Sequence, residues 1–592
     1  MTHRTDDKTV LFKRTDYSLT KLIQDIDFGD ISLPDLQRPF VWKPFQVRDL
    51  FDSMFRGFPV GYLVLWANDG MNQAERTIGV QEKSQPSPRL LIIDGQQRLT
   101  AIYAIFKGQE VMTKDFRPKK LRIAFRPIDG TFEVTDAAID KDPEFLSDLS
   151  AVFSEESSYT IIESYFNRIS TKREIGEDEK QQIIRNIEHL FSLKNYPFTA
   201  LEIASNVPEE QAAEIFVRIN SQGVDLGQAD FILTLLSVFW EDGRRALENF
   251  CQACRQPPTK HDKPSPYNHF IEPEPDQLLR VAIGLGFRRG RLKHVYSLLR
   301  GKDLETGEFS DDRRESQFQI LRDAQEHVLD VQNWHNFHKA LLTAGFRSGD
   351  MISSDNTLLF SYIFYLIGTV QFAIPQYELQ LLIGRWYFMA SITGRYTSSP
   401  ETALDRDLAR IRDLQSAEEF QQRLEQIMAD NLTNDFWQIS LPNFLDSSSA
   451  TNPALYAYYA ALNRLGTRVL FSQKKVNELF DPTLNPRKKA LERHHLFPRN
   501  YLQKLGIEDT QRINQIANYA LLEYPDNIDI SDQPPAEYFP DLINRYEGGN
   551  REEMMKDHAL WERWWELPYD EFLQKRRQRI ADVIRRGFEG LR

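Results

Sequence analysis

The clearest apolar run in the first hundred residues is Leu90-Leu91-Ile92-Ile93. Four aliphatic residues in a row predict a buried strand, Asp94-Gly95 then turns the chain, and Leu99 to Phe106 recurs at helical spacing. Residues 17–110 alternate short helices and strands. Pro44 is a first-turn proline, followed by Val47, Leu50, Phe51 and Met54 on one helical face. Tyr62 to Trp66 reads as a strand and Asn68 to Pro88 as a polar loop. Leu121 to Phe125 and Thr131 to Val134 read as a hairpin turned at Asp129-Gly130. From about residue 140 to 475 the pattern becomes mostly helical, with amphipathic runs such as Gln181 to Leu193 and Gln211 to Ile219. Gln256-Pro257-Pro258 and Pro264-Ser265-Pro266 punctuate it as loops, and no internal repeat of fixed period is present. The uncharged run Leu358 to Ile374 is almost long enough to span a bilayer. It contains Ser361, Tyr362, Tyr365, Thr369 and Gln371, stops at Pro375 and has Asn356-Thr357 as an N-cap, so it predicts a buried core helix.

With 592 residues the chain has room for about two to four domains. A hydrophobic content of 41% and a charged content of 27% place it among soluble globular proteins. The net charge of −13 argues against a generally basic nucleic-acid-coating protein, but leaves room for a DNA enzyme with a local basic groove and a bound metal. Cys251 and Cys254 are its two cysteines, so no disulfide framework is implied and a reducing cytoplasm is the expected location. Met1 to Val10 is polar and charged, without the apolar core of a signal peptide.

Asp94-Gly95-Gln96-Gln97-Arg98-Leu99-Thr100 packs a carboxylate, two amides and a guanidinium into a strand-to-helix junction. Such junctions expose unpaired backbone N–H groups and favour anions. Arg98 could grip a phosphate, Asp94 could hold a metal or a sugar hydroxyl, and the glutamines could read a base or position water. A polar turn with an Asp–Arg pair capping a helix is the plain alternative. No Gly-x-x-x-x-Gly-Lys-[Ser/Thr] occurs, so this is not a P-loop NTPase. Further along, Leu491-Glu492-Arg493-His494-His495-Leu496-Phe497-Pro498-Arg499 precedes Asn514 to Leu522, with Asn527 after it. Phosphodiester hydrolysis needs a base to activate water and a divalent metal beside the leaving oxygen, and a His base with a His/Asn metal site would provide both.

The Asp-Gly-Gln-Gln-Arg-Leu-Thr signature, together with Leu36-Gln37-Arg38-Pro39-Phe40-Val41-Trp42, Gly57-Phe58-Pro59-Val60-Gly61 and Ile215 to Gly223, resembles a large prokaryotic family with a ParB/sulfiredoxin-like nucleotide-binding fold. The likeness covers about residues 17–235. The C-terminal order His-His-x-x-Pro, Asn-x-x-Leu-Leu, Asn resembles the HNH nucleases. The pairing is similar to fused GmrSD-type, modification-dependent (type IV) restriction enzymes. That resemblance implies a multidomain α+β chain: an α/β nucleotide-binding NTPase domain over 1–235, a helical middle over 236–475, and a ββα-metal HNH domain over 476–592. It implies a nucleotide site lined by Asp94, Gly95, Gln96, Gln97, Arg98 and Thr100, with Arg38, Arg218 and Asn220 as further candidates. It makes His495 the general base, Asn518 the residue that orients it, and His494 and Asn527 the metal ligands. The usual residue at the His494 position is Asp. An imidazole there accepts Mg²⁺ but suits Mn²⁺, Ni²⁺ or Zn²⁺ better.

The implied activity is NTP-regulated, metal-dependent cleavage of double-stranded phage DNA carrying hydroxymethylated or glucosylated cytosine, with ATP, GTP or another NTP as ligand. No membrane partner is expected, and a homodimer is left open. A phosphorothioate-sensing defence NTPase/nickase and a nucleotide-binding regulator with an inert HNH unit are the alternatives. Among the basic stretches, Arg487-Lys488-Lys489 is the candidate DNA contact because it lies just before His494. Arg288 to Lys293 is a second stretch, and Lys575 to Arg579 with Arg585-Arg586 reads as a solvated helix face. Cys251-x-x-Cys254 with His261 and His269 fits no common zinc spacing and predicts half-buried core thiols. Trp561, Trp564 and Trp565 predict core or interface packing before base stacking.

Overall fold

The computed structural model describes residues 11–32, 40–67, 89–113, 117–155, 157–204, 228–258, 264–303, 310–480, 491–523, 532–546 and 550–591, with Val207, Ile215, Thr306 and Ile530. The predicted loop at 68–88 and the run at 211–219, apart from Ile215, lie outside these residues. The chain is mixed α/β, predominantly helical, and divides into two compact units, 1–226 and 227–592.

The first unit is built on a five-stranded sheet. Its strands β1 (Phe12–Ser18), β2 (Ile31–Ser32), β3 (Leu63–Ala67), β4 (Leu90–Asp94) and β9 (Pro197–Ile203) lie in the order β1-β9-β3-β4-β2. Strand β9 runs antiparallel to β1 and parallel to β3, and β3 is antiparallel to β4. Between β4 and β9 the chain forms two small ribbons. One is β5 (Glu110–Met112) with β6 (Pro118–Lys120), the other β7 (Ile123–Arg126) with β8 (Thr131–Val134). Helices α1 (Leu19–Asp27), α2 (Pro44–Phe55) and α3 (Gln96–Lys107) cover the sheet through one apolar cluster that includes Leu22, Phe51, Leu65, Ile92 and Ile102. Val47, Leu50, Phe51 and Met54 are all buried, as their spacing requires.

Strand β9 is the element that the mostly helical reading of the chain beyond residue 140 passed over. Its alternation is masked because Leu201 and Glu202 interrupt it. The buried Glu202 is satisfied by the Tyr17 hydroxyl at 2.6 Å and by Lys13 at 2.8 Å, so a carboxylate occupies what would otherwise be an apolar position.

The second unit is mostly helical. The helix Asp355–Val370 is capped by the Ser354 hydroxyl rather than by Asn356-Thr357, and is buried along most of its length. It packs on Gln376–Ile392, which also packs on Val331–Thr343. Among the described residues no helix is long and apolar enough to cross a membrane. The helix Glu241–Cys254 holds both cysteines fully buried, not half-buried, and burial pushes the Cys254 thiol up to about 12. Near its end the unit carries a two-stranded ribbon, β10 (Leu491–His495) antiparallel to β11 (Tyr519–Glu523). The long helix Tyr569–Glu589 lies against Pro453–Leu465.

Candidate functional site

In the first unit the Asp94–Thr100 signature sits at the junction of β4 and α3. Gly95 has φ +92°, a left-handed conformation open to glycine, and caps α3 without a side-chain hydrogen bond. A Cβ there would lie 2.5 Å from Leu63 Cδ2. The first N–H groups of any helix lack intrahelical acceptors, so the start of α3 is a place where an anion is favoured.

Arg98 turns back across the preceding loop. Its guanidinium donates to the carbonyl oxygens of Val60 and Tyr62, the latter at 2.8 Å, and to Asp94 Oδ2 at 3.3 Å. Gly61 makes room for it, since a Cβ there would stand 2.6 Å from Arg98 Nη1. Burial lowers the pKa of Arg98 from its ordinary value, and the Asp94 carboxylate opposes that shift. Gln97 Oε1 accepts from the Val41 N–H at 3.1 Å, and Gln96 Nε2 donates to the Ile92 carbonyl at 3.1 Å. The Thr100 hydroxyl is fully buried and has no hydrogen-bond partner. Three stretches apart in sequence, Phe40–Trp42, Gly57–Tyr62 and Asp94–Thr100, thus meet at the first turn of α3. Arg38, Arg218 and Asn220 lie outside the described residues.

In the second unit His494 and His495 end β10, opposite Ala520 and Tyr519 of β11. Successive side chains of a strand point to opposite faces. His494 is buried, edge-on to Tyr538 with ring centroids 5.7 Å apart. His495 is half-buried beside Tyr519 at 4.6 Å, and its Nε2 lies 2.9 Å from Asn514 Oδ1. With that oxygen as acceptor, Nε2 carries the proton and Nδ1 keeps its lone pair. Burial lowers the His495 pKa, the Asn514 bond raises it, and the charge of Arg499 lowers it further, so the neutral imidazole is favoured overall.

Asn518 is fully buried and acts on the backbone. Its Oδ1 accepts from the Phe497 N–H at 2.9 Å, while its Nδ2 donates to the carbonyls of Phe497 and Ile513 at 3.1 and 3.0 Å. It fixes the turn that leaves His495, whereas Asn514 touches the ring. The sequence reading named Asn518 and passed over Asn514. Tyr538 adds a second strut, its hydroxyl donating to Leu496 O at 2.7 Å.

Arg576 corrects the reading of residues 575–579 as a solvated face. It is fully buried and donates to the carbonyls of Ala517, Tyr519 and His558 at 2.7, 2.8 and 3.0 Å. Trp564 is buried among Phe497, Phe539 and Phe572.

Of the two expected metal ligands, His494 is described and Asn527 lies outside the described residues, as do Arg487, Lys488 and Lys489. The described residues contain no cluster of three or more His, Cys, Asp or Glu able to hold an ion. His494 is thus the one described residue of the expected set, and its imidazole suits Mn²⁺, Ni²⁺ or Zn²⁺ better than Mg²⁺.

Residues 19–237 match the family model described as GmrSD restriction endonuclease, N-terminal domain. The match supports a likeness to GmrSD-type restriction enzymes over that stretch. The chain is also similar to an uncharacterized protein of Methanocaldococcus jannaschii, 21% identical over 588 residues that cover 93% of this chain and 92% of that protein.

Proposed function

We propose that this chain is an NTP-regulated, metal-dependent DNA endonuclease that restricts phage DNA carrying hydroxymethylated or glucosylated cytosine. The match of residues 19–237 to the N-terminal domain of GmrSD restriction endonucleases carries the reading, because it points to restriction and hence to DNA. The start of α3, where a helix N-terminus favours an anion, and the braced Asp94–Arg98 pair support nucleotide binding by Asp94, Gly95, Gln96, Gln97, Arg98 and Thr100. Arg38, Arg218 and Asn220 extend that site by resemblance.

The β10–β11 ribbon supports hydrolysis at His495. Its Nδ1 is free of the Asn514 bond and can take a proton from water attacking a phosphodiester, while Nε2 is held in place. Asn518 and Tyr538 keep the turn after His495 rigid. His494 and Asn527 would hold the divalent ion, Mg²⁺ or Mn²⁺ in the first instance, which when bound stabilises charge on the leaving oxygen. Arg487, Lys488 and Lys489 would follow the DNA backbone.

The test is cleavage of unmodified, hydroxymethylcytosine, glucosylated and phosphorothioate DNA, with Mg²⁺ or Mn²⁺ and with or without each NTP. Cutting confined to modified cytosine is expected, and His495→Ala should abolish it while folding and nucleotide binding persist. Unchanged cutting by that variant would remove His495 as the base. Cutting of unmodified DNA that phosphorothioates suppress would replace the modified-cytosine reading.

A further inference from the structure

We propose that Arg493 and Arg499 form a phosphate-binding pair that grips a DNA strand on either side of His495. The inference rests on the endonuclease reading and adds to it the two side chains that hold the substrate backbone. Strand alternation puts Arg493 on the same face of β10 as His495, and His494 on the other. Tyr519 stands between them in register: its ring lies 4.6 Å from that of His495, and the Arg493 guanidinium carbon is 6.0 Å from the Tyr519 centroid. Beyond His495 the chain makes the turn Leu496-Phe497-Pro498 and enters the helix Arg499–Lys504 at Arg499 itself. That turn is held by Asn518 and Tyr538, so the position of Arg499 relative to the ribbon is fixed by buried hydrogen bonds.

Both arginines are exposed, and among the described residues neither makes an ion pair. Six other arginines of this part of the chain are paired. Arg512, Arg545, Arg563, Arg577, Arg585 and Arg586 are each held by an Asp or Glu. In a chain with a net charge of −13, two cations left without carboxylates beside one imidazole are placed for an external anion. A guanidinium binds phosphate oxygens through paired N–H groups, and a duplex backbone offers successive phosphates along a strand.

The test uses the full-length chain carrying His495→Ala, so that DNA is bound without being cut. Its affinity for a short duplex containing hydroxymethylcytosine is measured between about 50 and 200 mM salt. Arg493→Gln and Arg499→Gln should each make the log–log salt dependence shallower by about 0.9 and weaken binding at low salt. Arg493→Lys and Arg499→Lys should keep most of the slope, and Arg545→Gln should match the parent chain. An unchanged slope and affinity in the Arg493→Gln, Arg499→Gln double variant overturns the pair while leaving the endonuclease reading intact. No binding of any duplex by the parent chain overturns that reading, and the pair with it.

Discussion

At the residue scale, two asparagines four positions apart do different work. Asn514 bonds the His495 ring, whereas Asn518 bonds the backbone on both sides of the turn. Partners that fix an imidazole's tautomer and orientation are worth about 10- to 100-fold at metal sites. Asn514→Ala should therefore slow single-turnover cleavage by a similar factor while leaving the melting temperature nearly unchanged. A variant as active as the parent would show that the ring is held by its packing on Tyr519 instead. The histidines and Asn518 stand out in the sequence because they fall in a recognisable order, although Asn518 bonds the backbone and not the ring it was expected to orient. Asn514 was not, since a hydrogen bond spanning 19 positions depends on where two short helical turns bring the chain back. Arg98 teaches the same lesson: its partners are the carbonyls of Val60 and Tyr62, and a carbonyl leaves no mark in a sequence.

At the scale of elements, the helix Tyr569–Glu589 is the back wall of the ribbon. Arg576 projects from it to the carbonyls flanking Asn518, and among the described residues it makes no ion pair. Removing the guanidinium leaves buried acceptors unpaired, which costs about 1–3 kcal/mol per group, offset in part by relief of a buried cation. Arg576→Met is expected to lower stability by about 3 kcal/mol, read as a fall in the denaturation midpoint of the second unit. Arg576→Lys should recover only part of this, because one ammonium cannot reach three separated carbonyls. Charge density along residues 575–579 suggests an exposed face, and helical phase alone does not reveal that one of its arginines points inward. The elements around Asp94–Thr100 were readable because their apolar periods are clean. Strand β9 was not, because its inward positions include a glutamate.

At the scale of the molecule, two buried imidazoles tie stability to pH. Burial pushes His338, packed between Phe270 and Trp334, down to about 3, and His558 down to about 4. Both folded values lie below the ordinary histidine value near 6.5. The unfolded chain therefore binds more protons than the folded one below about pH 6.5, and stability falls as pH drops through that point toward the folded values. Each imidazole contributes up to about 1.4 kcal/mol per pH unit in this window. His338 has no hydrogen-bond partner on either ring nitrogen, so His338→Phe should flatten the acid side of a melting-temperature profile without lowering its neutral plateau. A profile parallel to the parent's down to about pH 5 would show that His338 is protonated in the folded protein.

Strand β9 has one more effect, on the order of events during synthesis. It is the strand that joins β1 to β3, pairing Phe12 with Ile203 and Leu63 with Ala200. A nascent chain that has released its first 190 residues therefore holds β1 with no neighbour and β3 with one open edge. The turn that braces Arg98 leads directly into β3, so the Asp94–Thr100 junction gains its full support only after most of the first unit has left the ribosome. Until then both strand edges are open to pairing with other chains, and premature termination before residue 197 would yield a fragment prone to aggregate rather than a partial first unit.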